Sequence, residues 1–224
     1  MNILQEKNSP QGSVCIFSQC QMTSLGLQGL LPRGTKVIPS LQHINMRPSE
    51  LEGIHFLYFL PHEPHFLFDG IKQISELLTQ SGIPLKIVIF SRVQSSWILN
   101  TLKNQVRKGY LIKYVHIVLS HSPCGLISPL IHSFLFNNLP LTSNNINSTS
   151  EKIYSGLTRE EFETMRNILN GYSIPVLAKL KKKSSGTLHA QKLSAARKMP
   201  FALPDMKWSR VFNTVNYKKH TSMS

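Results

Sequence analysis

Lys181, Lys182 and Lys183 run directly into Ser184, and Thr187, Lys192, Arg197 and Lys198 follow at short spacings. Cationic side chains beside hydroxyls form a phosphate-binding set, because charge-assisted hydrogen bonds to phosphate oxygens also release condensed counterions. The other residues able to do chemistry are sparse. Only 11 of 224 residues are Asp or Glu, which counts against metal-dependent hydrolysis or a carboxylate pair. His62-Glu63-Pro64-His65 holds potential metal ligands. Its two prolines and its lack of helical i,i+4 spacing instead predict a surface loop. Cys15, Cys20 and Cys124 form no CxxC pair and are odd in number, so neither a disulfide framework nor a zinc ribbon is expected. Cys15 and Cys20 read as core thiols, and Phe56, Tyr58 and Phe59 as a buried strand rather than a base-stacking platform. No P-loop, dinucleotide fingerprint or GxSxG elbow occurs. The expectation is a non-enzyme with no cofactor, no metal and no small-molecule substrate.

Charge points the same way. Twenty-five Lys and Arg against 11 acids give a net charge of +14 and a pI near 9.9. Residues 157–224 hold 13 of those cations and 4 of the acids, a local +9, leaving +5 for residues 1–156. Such an excess favours an anionic partner. On charge alone DNA, RNA and an anionic membrane all remain open; the lack of an RRM or KH signature disfavours RNA, and double-stranded DNA becomes the expected partner through the helix-turn-helix spacing of residues 157–200. The apolar runs over residues 54–68 and 126–136 are interrupted by proline, histidine or glutamate, and neither reaches the roughly 18 apolar residues of a membrane span. The N-terminal MNILQEKNSPQG lacks a secretory pattern. A cytoplasmic protein, nucleoid-associated through DNA, is expected, with no membrane partner.

The elements that must position the cations can be read from periodicity. Residues 14–17, 54–60, 85–90 and 115–120 have strand length and nearly continuous apolar character, as parallel strands covered on both faces do, and Val37-Ile38 is a candidate fifth. Helical segments at residues 24–31, 68–79 and 95–106 alternate with them, predicting a doubly wound α/β layer over residues 1–136. Residues 137–156, rich in Asn, Ser and Thr, read as a linker. Over residues 157–200 every signal is helical. Thr158 and Glu161 form a capping box, Leu157 and Phe162 a hydrophobic staple, and Gly171 stops the first helix. Ser173 with Pro175 opens a second helix, Ser184 caps a third, and Pro200 ends it. Residues 201–224 form a basic tail, with an extra helix a candidate over residues 207–215.

The stretch from Leu157 to Met199 resembles, without gaps, the DNA-binding domain of LuxR-type transcription regulators. The matching positions include Leu157, Thr158, Glu161, Met165, Gly171, Ser173, Leu177, Ala178, Ser184, Thr187, Leu188, Lys198 and Met199. Through Gly171-Tyr172-Ser173 and Ala190-Gln191-Lys192 it is most similar to the enteric auxiliary regulators of the BglJ and RcsA kind. The resemblance implies an atypical receiver-like domain ahead of a helix-turn-helix, and heterodimerisation with a response regulator of the RcsB kind, a homodimer being the other possibility. It also places base-contacting positions on His189, Ala190 and Leu193. Lys181 and Lys183 stand where the family usually has apolar core residues, and Gln191 replaces its usual His.

A phosphorylatable receiver needs carboxylates after its first and third strands to hold Mg²⁺ and accept phosphate. Here those strands run into Ser18-Gln19-Cys20 and Phe59-Leu60-Pro61. Ser91 occupies the hydroxyl position, and either His121 or Lys113 the fifth-strand position. His121 is preferred, since it leaves a normal helix before the linker. The N-terminal half is therefore expected to dock rather than to be switched by phosphate.

With Leu188 at the centre of the buried face, Gln191, Lys192, Ala195 and Met199 fall within about 60° of it at 100° per residue, Gly186, Ala190, Leu193 and Arg197 point away, and His189 lies at the edge. The expected DNA-binding set is Lys182, Lys183, Ser184, Thr187, His189, Ala190, Lys192, Leu193, Arg197 and Lys198. Ala and Leu make no bidentate base contacts, so poor autonomous specificity is expected. The reading is a bacterial, phosphorylation-independent auxiliary transcription regulator. Its alternative is an interaction protein that sequesters a response regulator without touching DNA.

Overall fold

The computed structural model describes residues 13–18, 20–29, 31, 35–38, 51, 53–120, 127, 129, 131, 133–134 and 154–200. His121, residues 137–153 of the expected linker, and the tail 201–224 with its expected helix lie outside these. Five strands, β1 (Val14–Phe17), β2 (Lys36–Ile38), β3 (His55–Phe59), β4 (Lys86–Ser91) and β5 (Val115–Leu119), form one parallel sheet in the order β2-β1-β3-β4-β5. This is a doubly wound order, shared by flavodoxin and CheY. The chain is thus an α/β protein followed by three helices, as expected, and Val37-Ile38 does pair as a fifth strand.

Because side chains alternate across a strand, the continuous apolar runs divide between two cores. Val14, Ile16, Leu57, Val88, Phe90 and Val118 face one side, where Ile131 and Phe134 cover them. Cys15, Phe17, Phe56, Tyr58, Ile87 and Ile89 face the other. That second face is covered by α2 (Pro64–Ser81) and α3 (Ser95–Gln105), which bring Leu67, Phe68, Ile71, Ile74, Leu78, Trp97, Ile98 and Leu102.

Element boundaries shift for local reasons. Helix α1 (Gln21–Gln28) begins before residue 24 because the Ser18 hydroxyl accepts the Cys20 amide at 3.1 Å and organises the entry, while Ser24 is buried and bonds back to the Cys20 carbonyl at 3.2 Å. Cys20, outside the strand, is exposed rather than a core thiol; Cys15 is buried. Helix α2 starts at Pro64, where proline's missing N–H costs nothing, and ends at Gly82 in the left-handed region. Pro64 and His65 are therefore helical, not loop, and His62 pairs with Glu63 at 3.6 Å. A 3₁₀ turn (Gly109–Ile112) puts Lys113 before β5 rather than after it.

The three C-terminal helices are α4 (Arg159–Leu169), α5 (Ile174–Lys181) and α6 (Ser185–Lys198). The capping box forms: the Glu161 amide donates to Thr158 Oγ1 at 3.3 Å and the Thr158 amide to Glu161 Oε2 at 2.8 Å. Gly171 stops α4 at a φ of 91°, Pro175 sits in the first turn of α5, and Ser184 Oγ accepts the Thr187 amide at 3.0 Å to open α6. Leu157, Phe162, Met165, Ile168, Leu177, Leu188, Ala195 and Met199 form their shared core. Among the described residues no helix is long and apolar enough to cross a membrane.

Candidate nucleic-acid interface

Helices α5 and α6 are joined by Lys182, Lys183 and Ser184, the short turn of a helix-turn-helix. The reversal is made by Lys182, which adopts φ 51° and ψ 43° and donates its amide back to Lys179 and Ala178 carbonyls. Few non-glycine residues sit there, since the left-handed conformation costs roughly 1–2 kcal/mol. The turn leaves the Lys182 side chain exposed at the entrance to α6.

Along α6 the expected faces are observed. Leu188, Ala195 and the following Met199 are buried; Gly186, Thr187, His189, Ala190, Leu193 and Arg197 are exposed. His189, expected at the edge, is exposed there. Gln191 and Lys192 are half-buried. Ser184 and Thr187 remain exposed, although their hydroxyls bond one another at 2.8 Å while Ser184 caps the helix.

Two cations assigned to phosphate from sequence are held by the protein itself. Lys183 is bound to Glu160, and that hydrogen bond leads the causes holding the Glu160 carboxyl below its usual range. Lys198 donates to both oxygens of Glu161, at 2.7 and 2.8 Å, and the Ser194 hydroxyl donates to the same carboxylate at 2.5 Å. Glu161 is only 6% exposed. Burial alone pushes its pKa up, but the hydrogen bonds from Lys198, Ser194 and Thr158 outweigh that and leave it lowered. Lys198 therefore ties the end of α6 to the start of α4. Gln191 is equally structural: its Oε1 accepts from the buried Thr164 hydroxyl at 2.8 Å.

The module is seated on the α/β layer by contacts that no sequence signal marks. Phe68 of α2 stacks on Phe162 of α4, with ring centroids 5.0 Å apart. Around them Asp69 accepts from Arg166 Nε at 2.7 Å, and Lys72 reaches Glu163 at 3.2 Å. The end of the expected linker is docked on α3. Asn100 and Asn104 donate to the Tyr154 and Leu157 carbonyls at 2.8 and 3.0 Å, and the Leu157 amide donates to Thr101 Oγ1 at 3.1 Å. Gly156 lies so close to α3 that an added Cβ would stand 2.2 Å from the Thr101 nitrogen.

At the carboxyl ends of the strands, Ser91 is fully buried with its hydroxyl accepting the Val93 amide at 3.1 Å, and Ser18 closes its own turn with Cys20. Ser18, Cys20, Leu60 and Pro61 follow β1 and β3 at this edge, and none of them is a carboxylate.

No family model matches the chain, and no characterised protein matches it by sequence. Solved structures align with nearly its whole length. RcsB from Salmonella enterica serovar Typhimurium, bound to the rprA promoter in the presence of phosphomimetic BeF₃⁻, aligns over 92% of this chain and 99% of its own at 17% identity and a TM-score of 0.43. The two-component response regulator RcsB in complex with DNA aligns over 92% and 98% at 20% identity and 0.47. Full-length FixJ from B. japonicum aligns over 92% and 96% at 13% identity and 0.36.

Proposed function

We propose that this chain is a DNA-binding transcription regulator of the LuxR type, in which a phosphorylation-independent receiver-like domain (residues 1–136) leads through a linker (137–156) to a helix-turn-helix (157–200) and a basic tail (201–224). The observation that carries the reading is the outer face of α6: exposed along its length, entered through Lys182 and the Ser184 cap, and flanked by Lys192 and Arg197. A helix presented in this way fits a major groove, with its cations on phosphates. Independence from phosphate is supported by Ser18, Cys20, Leu60 and Pro61 at the strand ends, none of which supplies a carboxylate to ligate Mg²⁺ or to form an acyl phosphate.

An auxiliary role follows from the same residues. With Lys183 and Lys198 turned onto Glu160 and Glu161, the exposed Lys182 and Arg197, with the half-buried Lys192 beside them, would position the module, and a response regulator of the RcsB kind would supply the other half-site. Three phosphate contacts correspond to a slope of log affinity on log salt of about −3. In fluorescence anisotropy with duplex DNA the purified chain should show weak binding with that slope, unchanged by acetyl phosphate, and should bind a promoter tightly only with the response regulator present. Replacing Lys182, Lys192 and Arg197 by Ala should abolish the chain's own contribution. Tight specific binding alone, or recovery of an acyl phosphate, defeats the proposal. Unimpaired regulation by the triple variant selects the sequestering alternative.

A further inference from the structure

The residues of α6 farthest from the buried Leu188 and Ala195 form one strip: Gly186, Ala190, Leu193 and Arg197. Leu193 is 56% exposed and belongs to neither hydrophobic cluster. Three of these four residues have no side-chain donor or acceptor, so most of the strip cannot hydrogen-bond a base edge. Gly186 adds an open approach: a Cβ placed there would meet only Ser184 Oγ, at 3.8 Å. Arg197 closes the strip at its C-terminal end, and the other polar side chains, Thr187, His189 and Lys192, lie beside it.

In the major groove a base pair offers donors and acceptors and, at thymine, a C5 methyl group. Seating an apolar strip over a G·C pair strips water from polar edges and returns no hydrogen bond, whereas over a pyrimidine methyl it buries carbon against carbon. We infer that Ala190 and Leu193 are specificity-determining residues that read pyrimidine 5-methyl groups, so that the preferred ligand is duplex DNA carrying methyls in the groove facing α6. The flanking cations make DNA the occupant of this strip rather than another apolar protein surface. This rests on the DNA-binding reading above and adds the class of base contact.

Alternating polymers test it without knowledge of a target site. Binding of the full chain at low ionic strength is measured for poly(dA-dT) against poly(dA-dU), and for poly(dG-dC) against its 5-methylcytosine counterpart. Each pair differs only in the methyl. The methylated member should bind tighter by about fourfold for each methyl contacted. The double variant Ala190→Ser, Leu193→Ser, altered only at exposed positions, should bring both ratios close to one while circular dichroism shows it folded as the parent is. Equal binding within both pairs by the unaltered chain overturns the inference while leaving the DNA-binding reading intact. A preference that survives in the double variant also overturns it, by assigning selectivity to groove shape. Failure to bind any of the four polymers overturns both.

Discussion

Replacing Glu161 by Gln separates two roles that Lys198 could play, phosphate ligand or internal clamp. The carboxylate takes the Thr158 amide, the Ser194 hydroxyl and both contacts from Lys198. Glutamine keeps an oxygen for Thr158 but turns an NH₂ toward Ser194 and Lys198, leaving a half-buried ammonium without its anion. Breaking a fully buried pair costs about 3–5 kcal/mol. The Lys198 side chain is 28% exposed, so water recovers part of this and the expected loss is about 2 kcal/mol. For a chain of this length that is a fall in Tm of about 4–8 °C by circular dichroism. The pH dependence has a definite sign. Because the folded pKa is lowered, the stabilisation is fully present above the unfolded glutamate value of about 4.3 and is lost as pH falls through the folded value. The Tm gap between the parent and Glu161→Gln should therefore be widest near neutrality and narrow in acid. Lys198→Met should be destabilising as well, and the double variant should lose less than the two single losses together. If Lys198→Met leaves Tm untouched but weakens duplex binding as Lys192→Ala does, Lys198 is a phosphate ligand and the clamp argument is wrong.

Gly156→Ala forces a methyl against the Thr101 and Asn100 backbone. It should cost about 2–3 kcal/mol and split urea unfolding into two transitions, whereas one transition at the parent midpoint refutes the docking argument. Lys182→Gly relieves the left-handed strain at φ 51°, less glycine's own entropic cost. It should stabilise by about 0.5 kcal/mol in urea titration, while duplex affinity falls and its salt slope flattens by about one. His55 is pushed down to about 4, first by burial and then by Lys86. The unfolded chain takes up its proton near 6.5 while the folded chain stays neutral, so stability drains away between about pH 6.5 and 4. His55→Leu should remove up to about 3 kcal/mol of that acid loss, and parallel pH profiles for parent and variant contradict it.

What the sequence revealed was local. The capping box at Thr158 and Glu161, the stop at Gly171 and the cap at Ser184 each depend on residues a few positions apart, and all form as expected. The continuous apolar runs announced parallel strands because both sheet faces are covered. What stayed hidden depends on distant partners. Lys198 read as a phosphate ligand because Glu161, which captures it, lies 37 positions away, and Arg166 meets Asp69 across 97. Gly156 sits in a stretch whose composition reads as linker, yet the absence of its side chain lets the end of that stretch, from Tyr154 on, dock on α3. No periodicity encodes such contacts. Gln191 shows the same limit: nothing near it in sequence marks it as structural, and its partner Thr164 is reached across 27 residues.

Helix α4 joins these contacts into one mechanical element. On one side, Glu161 and Thr164 hold α6 through Lys198, Ser194 and Gln191. On another, Phe162, Glu163 and Arg166 grip Phe68, Lys72 and Asp69 of α2. Successive helical residues turn by about 100°, so neighbours in sequence serve different partners, and α4 cannot tilt against α2 without carrying α6 with it. Close-packed interfaces of this kind shift as units rather than stretch. The direction in which α6 faces is consequently tied to that of α2 and, through α2, to the parallel sheet.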